Sequence, residues 1–251
     1  MIAQSVDGPV EAIILGAGKG TRMKSDLPKV LHVLADRPLL AHVLDTVRQT
    51  RIQRTIVVVG YHAEQVRAAC PGPDLDFVVQ EPQLGTGHAV QIAAPYLHKG
   101  GMTLVLNGDV PLLRADTLNR LISHTSQSGT AATVLSCVVP DAGSYGRIVK
   151  DSRGRVQRIV EARDATEEEL TIGEFNTGVF CFRTEQLLFA LAKLTDDNDQ
   201  QEYYLTDTIG FLVADDQRIE SVVCDDPDEV VGINTVEELK KAEKLYWARQ
   251  A

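Results

Sequence analysis

Two spacings of apolar residues alternate along the first half of the chain. Val10 to Leu15 is a short apolar run of the kind that forms a buried strand. Pro38 to Gln49 then carries Leu39, Leu40, Val43, Leu44 and Val47 at helical spacing. Thr55 to Val59 is a β-branched run that ends at Gly60, which predicts a second strand. Ala63 to Ala69 predicts a short helix closed by Pro71-Gly72-Pro73, and Leu75 to Val79 a third strand. Gly87 to Ala94 reads as a helix and Met102 to Leu106 as a fourth strand. Strands alternating with helices predict an α/β fold with a mostly parallel central sheet and helices on both faces.

The second half changes pattern. A helix over Ala115 to Ser126 precedes three strands at Thr130 to Val139, Tyr145 to Lys150 and Val156 to Val160. Phe175 to Phe182 predicts another strand, and Ile219 to Val223 a late one. Strands set this close suggest an antiparallel or mixed extension of the sheet. Helices are expected over Glu185 to Leu194 and Tyr203 to Ala214. Thr235-Val236-Glu237-Glu238 has the form of a capping box that opens a last helix running toward Trp247. Glu167-Glu168-Glu169 reads as a solvated turn or cap. No linker-like stretch or internal repeat interrupts the 251 residues, so one continuous domain is expected.

Composition narrows the function classes. Net charge is −10, which argues against general nucleic-acid binding. A polyanionic ligand would then need a local basic patch, and Lys19, Arg22, Lys24 and Lys29 form the densest one. Cys70, Cys137, Cys181 and Cys224 show no C-x-x-C spacing and read as buried, reduced thiols of a cytoplasmic protein. No apolar stretch approaches membrane-spanning length, so no membrane partner is expected. Met1 to Pro9 lacks the basic start and apolar core of a signal peptide and reads as a short frayed end.

The basic patch surrounds Leu15-Gly16-Ala17-Gly18-Lys19-Gly20-Thr21-Arg22, directly after the first strand. Small residues let backbone N–H groups approach an anion closely. The glycine spacing fits neither a P-loop nor the dinucleotide fingerprint. Four cations around one loop repel each other unless an anion joins them, which makes this a candidate phosphate cradle.

Other candidates sit at predicted strand ends, where ligands bind in open α/β sheets. Asp109, in Asn107-Gly108-Asp109, is placed to hold a divalent metal on phosphates or to cap the turn before Pro111. Asn234 offers an amide oxygen, although by position alone it reads better as a helix cap. Gln80, Gln83 and the run Gly85-Thr86-Gly87-His88 form a second glycine-rich loop, whose amides can read a base edge. Glu161 and Asn176 could hydrogen-bond sugar hydroxyls, and each could equally be a surface or capping residue. His88 reads as structural, and the six histidines show no metal spacing.

The run LGAGKGTRMKSDLPKVLH resembles the signature of the sugar-1-phosphate nucleotidylyltransferases. QLGTGHAVQ, LNGDVPLL, SYGRIVKD, IVEARDA, EFNTGVF, EYYLTD and VVGINT, in that order, resemble the uridylyltransferase domains of bacterial N-acetylglucosamine-1-phosphate uridylyltransferases. The resemblance covers nearly the whole chain and implies a Rossmann-like nucleotidyltransferase domain. It implies Mg²⁺-dependent transfer of UMP from UTP to N-acetylglucosamine 1-phosphate in cell-wall precursor synthesis. The alternatives are another sugar phosphate or nucleotide, or a non-catalytic nucleotide-sugar-binding protein.

The same resemblance implies roles for individual residues. Leu15, Gly16, Ala17, Gly18, Lys29, Gln80, Gln83, Gly85 and Thr86 would hold the nucleotide. Arg22, Lys29 and Asp109 would be catalytic, the first two on the phosphates. Asn107, Gly108, Gly146, Glu161 and Asn176 would face the sugar, with Tyr204 and Thr206 at its border. Asp109 and Asn234 would bind the magnesium, which displaces the helix-cap reading of Asn234. Two positions depart from the family pattern: Gly16 replaces a usual alanine and Asn107 a frequent tyrosine. No hexapeptide repeat occurs in these residues, so neither acetyl transfer nor a β-helix trimer is expected.

Overall fold

The computed structural model describes residues 8–250; of the expected frayed start, Met1 to Pro9, residues 1–7 lie outside them, while Pro9 O accepts from Met102 N–H at 3.0 Å. Strand β1 (Val10–Leu15) is followed by two single 3-10 turns, Thr21–Met23 and Lys29–Leu31, and a small hairpin of β2 (Val33–Leu34) and β3 (Arg37–Pro38). Then come α1 (Leu39–Arg48), β4 (Arg54–Val59), α2 (Ala63–Ala69), β5 (Leu75–Val79), α3 (Thr86–Ala93) and β6 (Met102–Asn107). The second half runs α4 (Ala115–Ser128), β7 (Ala132–Val138), β8 (Arg147–Lys150), β9 (Val156–Val160) and α5 (Glu167–Leu170). It closes with β10 (Glu174–Arg183), α6 (Thr184–Leu191), α7 (Asp207–Ala214), β11 (Ile219–Cys224) and α8 (Val236–Ala248).

The central sheet has the order β11-β7-β10-β6-β1-β4-β5, with β8 and β9 branching from β10. Strands β5, β4, β1 and β6 are mutually parallel. Strand β10 runs antiparallel to β6, β7 and β8, which supplies the mixed extension.

Side-chain alternation along β1 explains the two-faced architecture. Ala12 and Ile14 join a core with Leu40, Val43 and Leu44 of α1 and Leu118, Leu121 and Ile122 of α4. Ile13, one residue between them, points into the opposite core with Val90 of α3, Leu187 of α6 and Ile209 of α7. Ile13 and Ile14 are fully buried, and each contributes roughly 1.5–3 kcal/mol of hydrophobic stabilisation. A third cluster seats α8 through Ala242 against Met23, Leu34, Leu39, Leu112 and Ile233. All four cysteines are buried and unbridged.

Several boundaries differ from the sequence expectation. Helix α7 begins at Asp207 rather than Tyr203, because Tyr203 is held in an irregular segment. Its N–H donates to Leu84 O at 2.8 Å and its carbonyl accepts from Gly87 N–H at 2.7 Å. Glu167–Leu170 is a short helix rather than a turn, opened by a capping box between Thr166 and Glu169. Strand β8 begins at Arg147, which leaves Ser144, Tyr145 and Gly146 as a loop.

The parallel strands bring their carboxyl ends to one edge of the sheet. Gly16 N–H donates to Val58 O at 2.8 Å, Gly108 N–H to Leu15 O at 2.9 Å and Gln80 N–H to Val59 O at 2.7 Å. Three loops far apart in sequence are thus laced together by main-chain bonds.

Candidate active site

Three connected compartments open along that edge, of about 320, 210 and 310 Å³. The first lies over the Gly16 loop and is lined by all nine residues assigned to the nucleotide, from Leu15 to Thr86. The second is lined by Gly146, Glu161, Asn176 and Thr206. The third holds Arg22, Asp109, Asn234 and Glu238. Asn107, at the end of β6, lines all three.

In the first compartment, Gln83 Nε2 donates to Ala17 O at 2.6 Å and so ties the loop after β5 to the Gly16 loop. Gln80 is 4% exposed and its Nε2 donates to Gly85 O at 2.9 Å. His88 Nδ1 lies 3.2 Å from the same nitrogen, so this histidine helps to orient the amide. Thr86 Oγ1 accepts from Leu205 N–H at 3.1 Å and joins α3 to the segment before α7.

In the second compartment, Thr206 Oγ1 donates to Glu161 Oε1 at 3.0 Å. Burial pushes the Glu161 carboxyl above the ordinary glutamate value, partly offset by the Thr206 hydrogen bond. Asn176 N–H donates to Gly146 O at 2.8 Å, and Asn176 Oδ1 accepts from Gly178 N–H at 2.9 Å. The ladder of β10 shifts register between Asn176 and Val179, where Gly178 adopts φ +79°. A Cβ at Gly178 would lie 2.2 Å from Asn107 Nδ2, so the glycine makes room for that amide.

The third compartment concentrates the charge. Asn234 Oδ1 accepts from Lys29 Nζ at 2.6 Å and from Arg22 Nη2 at 2.8 Å. Lys29 also forms an ion pair with the Asp109 carboxylate. Gly20, at φ +65°, precedes the Thr21–Met23 turn, and a Cβ there would lie 2.6 Å from Lys29 Cβ. The bare glycine therefore lets the Arg22 turn and Lys29 close together. Ile233 N–H donates to Asp109 O at 2.9 Å and fixes the two oxygen-bearing loops to each other.

Asn234 does not cap α8. Thr235 is the N-cap, with its hydroxyl accepting from Glu238 N–H at 3.1 Å, while Glu238 accepts from the backbone of Asn234 and Thr235. The Asn234 side chain is left to face Lys29. The carboxylate of Asp109 and the amide oxygen of Asn234 already converge on one cationic group, the Lys29 ammonium. Among the described residues no cluster of three or more His, Cys, Asp or Glu forms a metal site. One carboxylate plus one amide oxygen suits magnesium, which keeps water and phosphate oxygens as its other ligands.

Not every candidate reaches the cleft. Gly108 is not among the lining residues; it packs behind them, where a Cβ would meet Val30 Cγ1 at 3.1 Å. Tyr204 lines a neighbouring acidic cavity with Asp164 and Asp207, and its hydroxyl accepts from Gln200 at 2.6 Å. Of the four loop cations only Arg22 and Lys29 converge. Lys19 lies 5.8 Å from the Tyr61 ring centroid, and Lys24 is exposed. Conversely, Ser144, Tyr145 and Thr177 line the cleft without having been singled out as site residues, although the SYGR and FNTG runs contain them.

A strand-end cleft with a glycine-rich loop, two converging cations and two hard oxygens is the equipment for handling nucleoside triphosphates. The chain belongs to the MobA-like NTP transferase family, whose model matches residues 12–204. Among curated relatives, the bifunctional protein GlmU of Brevibacillus brevis is 47% identical over 235 residues, covering 93% of this chain and 51% of that protein. GlmU of Paraburkholderia phytofirmans is 48% identical over 234 residues, with the same coverage of 93% and 51%. The chain spans about half the length of the curated relatives it matches. Among solved structures, UDP-glucose pyrophosphorylase complexed with UDP-glucose superposes with TM-score 0.77 at 17% identity, covering 96% of this chain and 100% of that one. HddC from Yersinia pseudotuberculosis, complexed with GMP-PN, gives 0.68 at 21% identity, covering 94% and 99%. At such identities these two structures establish the α/β fold.

Proposed function

We propose that this chain transfers UMP from UTP to N-acetylglucosamine 1-phosphate, giving UDP-N-acetylglucosamine and pyrophosphate and so supplying cell-wall precursors. The observation that carries the reading is the meeting of Lys29, Arg22, Asp109 and Asn234 beside Asn107, which borders all three compartments. A nucleotide in the first compartment and a sugar in the second would bring their phosphates together in the third. The likeness to GlmU proteins along nearly the whole chain supports the sugar and the base.

An oxygen of the sugar phosphate forms a bond to the α-phosphorus of UTP as the bond to pyrophosphate breaks. The attacking phosphate is already ionised, so no protein nucleophile or general base is needed. Lys29 and Arg22 would neutralise the charge that develops on the transferring and leaving phosphates. Magnesium held by Asp109 and Asn234 would supply Lewis-acid charge stabilisation to the same oxygens. Gln80 and Gln83 would read the uracil edge, and Glu161, Gly146 and Asn176 would orient the sugar. Gly108 would act indirectly by keeping β6 close to the Gly16 loop. Positioning of this kind is itself a large part of the rate gain.

A panel of sugar 1-phosphates against UTP, dTTP, GTP and ATP, read by pyrophosphate release, tests the assignment. UTP with N-acetylglucosamine 1-phosphate should give the highest kcat/KM. A preference for glucose 1-phosphate or for another base would reassign the substrate while keeping the reaction class. UTP binding without pyrophosphate release from any pair would favour a nucleotide-sugar-binding protein instead.

A further inference from the structure

Arg147, the first residue of β8, is 2% exposed. Its register partners are Phe175 of β10 and Val160 of β9, both apolar. Among the described residues no carboxylate pairs with its guanidinium, and its Nε is buried without a hydrogen-bond partner. The other two nitrogens donate to the carbonyls of Tyr145 and Gly143, the latter at 3.0 Å. Burying a guanidinium with no counter-ion is expensive, and an apolar side chain of similar volume would fill the same space without that cost. What the arginine adds is its grip on two main-chain carbonyls.

Those carbonyls bracket Ser144, in a loop that is otherwise held by itself. Gly143 and Ser144 are exposed, and Gly143 adopts φ +50°. Gly143 N–H donates to Asp141 Oδ1 at 2.8 Å and Tyr145 N–H to Ala142 O at 3.1 Å, both within the loop. The guanidinium ties this loop to β8. Ser144 lines the second and third compartments and Gly146 the second. Among the described residues, none between 141 and 147 lines the first compartment. The loop therefore borders the proposed sugar phosphate and not the proposed nucleotide.

We infer that Arg147 is a positioning residue: by gripping the carbonyls of Gly143 and Tyr145 it holds the loop over 143–146 ready for substrate, and so sets the affinity for the sugar phosphate and not for the nucleotide. The inference rests on the reading of the second compartment as the sugar's. Arg147 itself touches no substrate. Without its guanidinium both carbonyls lose their donor, and the loop must be ordered at the moment of binding. Fixing the backbone of even one residue weakens binding by about tenfold.

Arg147→Met keeps the volume of the side chain and removes the grip. The test measures pyrophosphate release with magnesium, UTP and the sugar 1-phosphate that the wild type uses best. KM for the sugar phosphate should rise about tenfold while KM for UTP stays within about twofold. Arg183→Met is the control. Its Nε donates to Thr130 O at 2.9 Å, just before β7 and away from the three compartments, and both KM values should stay at wild type. If Arg147→Met does not fold, Arg147→Lys keeps the charge and is read in the same way, with a rise of about threefold expected. An unchanged KM for the sugar phosphate in a folded variant overturns the inference. Equal rises for both substrates also overturn it, as does failure of both variants to fold, because the guanidinium then serves stability alone. A wild type that releases pyrophosphate from no nucleotide and sugar 1-phosphate pair rejects the proposed reaction, and this inference with it, which is a separate outcome from a working wild type whose variant keeps its KM.

Discussion

Lys29 and Asn234 meet across 205 residues of sequence, the lysine Nζ donating to the amide oxygen at 2.6 Å. The contact joins the loop after β1 to the loop before α8. Arg22 donates to the same oxygen, and Asp109 pairs with the same ammonium. One amide therefore organises both cations of the charge compartment.

Asn234→Ala removes that acceptor without touching the cap of α8. The expected result is a loss of about a hundredfold in kcat and a higher magnesium requirement, with the melting temperature nearly unchanged. Thr235→Ala should do the reverse. It breaks the capping box and costs about 1 kcal/mol of stability, with kcat within about twofold of wild type. Steady-state kinetics and thermal melts of the two variants check the pair. Equal loss of activity in both would show that the amide acts only through the helix.

Gly178→Ala tests the seat of Asn107. The backbone at φ +79° strains any L side chain, and the new Cβ would push on Asn107 Nδ2. We expect a loss of about 1–2 kcal/mol of stability. A rise in KM for the sugar phosphate larger than any rise for UTP should accompany it. Gly129→Ala, at φ +71° with open space around it, is the control and should lose stability alone. A normal KM in Gly178→Ala would remove Asn107 from the sugar's surroundings.

Sequence patterning reached most strands and helices because β1, β4 and β6 alternate between two cores and α1 keeps one apolar stripe. It failed where long-range main-chain bonds override local pattern. Tyr203, Tyr204 and Leu205 continue an apolar helical run, yet Tyr203 pairs with Leu84 and Gly87, over a hundred residues away. The register shift in β10 left no local mark beyond Gly178, and the acidic run read as a turn or cap proves to be the capped first turn of α5. Convergence of the candidate residues was expected from their places at strand ends. Thr235 as the cap of α8 was legible in its capping box, and the structure adds that the Asn234 side chain beside it meets Lys29 and Arg22.

Asp207, in the first turn of α7, is pushed up to about 6 from an ordinary 3.8, first by burial and then by the nearby Glu161 and Asp164 carboxylates. A raised carboxyl destabilises the fold where it is ionised. The cost is absent below about pH 3.8, grows between 3.8 and about 6, and is complete above. Asp207→Asn should therefore be more stable than wild type at pH 8, by of order 1 kcal/mol, since the helix N-terminus offsets part of the cost. The gain should shrink toward zero as pH falls to 4. Chemical denaturation at several pH values reads this directly, and a pH-independent difference would reject the assignment.

The pairing of Lys29 with Asp109 places a carboxylate where the phosphates and magnesium are proposed to meet. The most direct measurement is pyrophosphate release from UTP and N-acetylglucosamine 1-phosphate by the wild type and Asp109→Asn, with and without magnesium. The account predicts release only when both substrates and magnesium are present, and a loss of at least about a hundredfold in a variant that melts like the wild type. Near wild-type release by folded Asp109→Asn, or release by the wild type after magnesium is chelated, would contradict it.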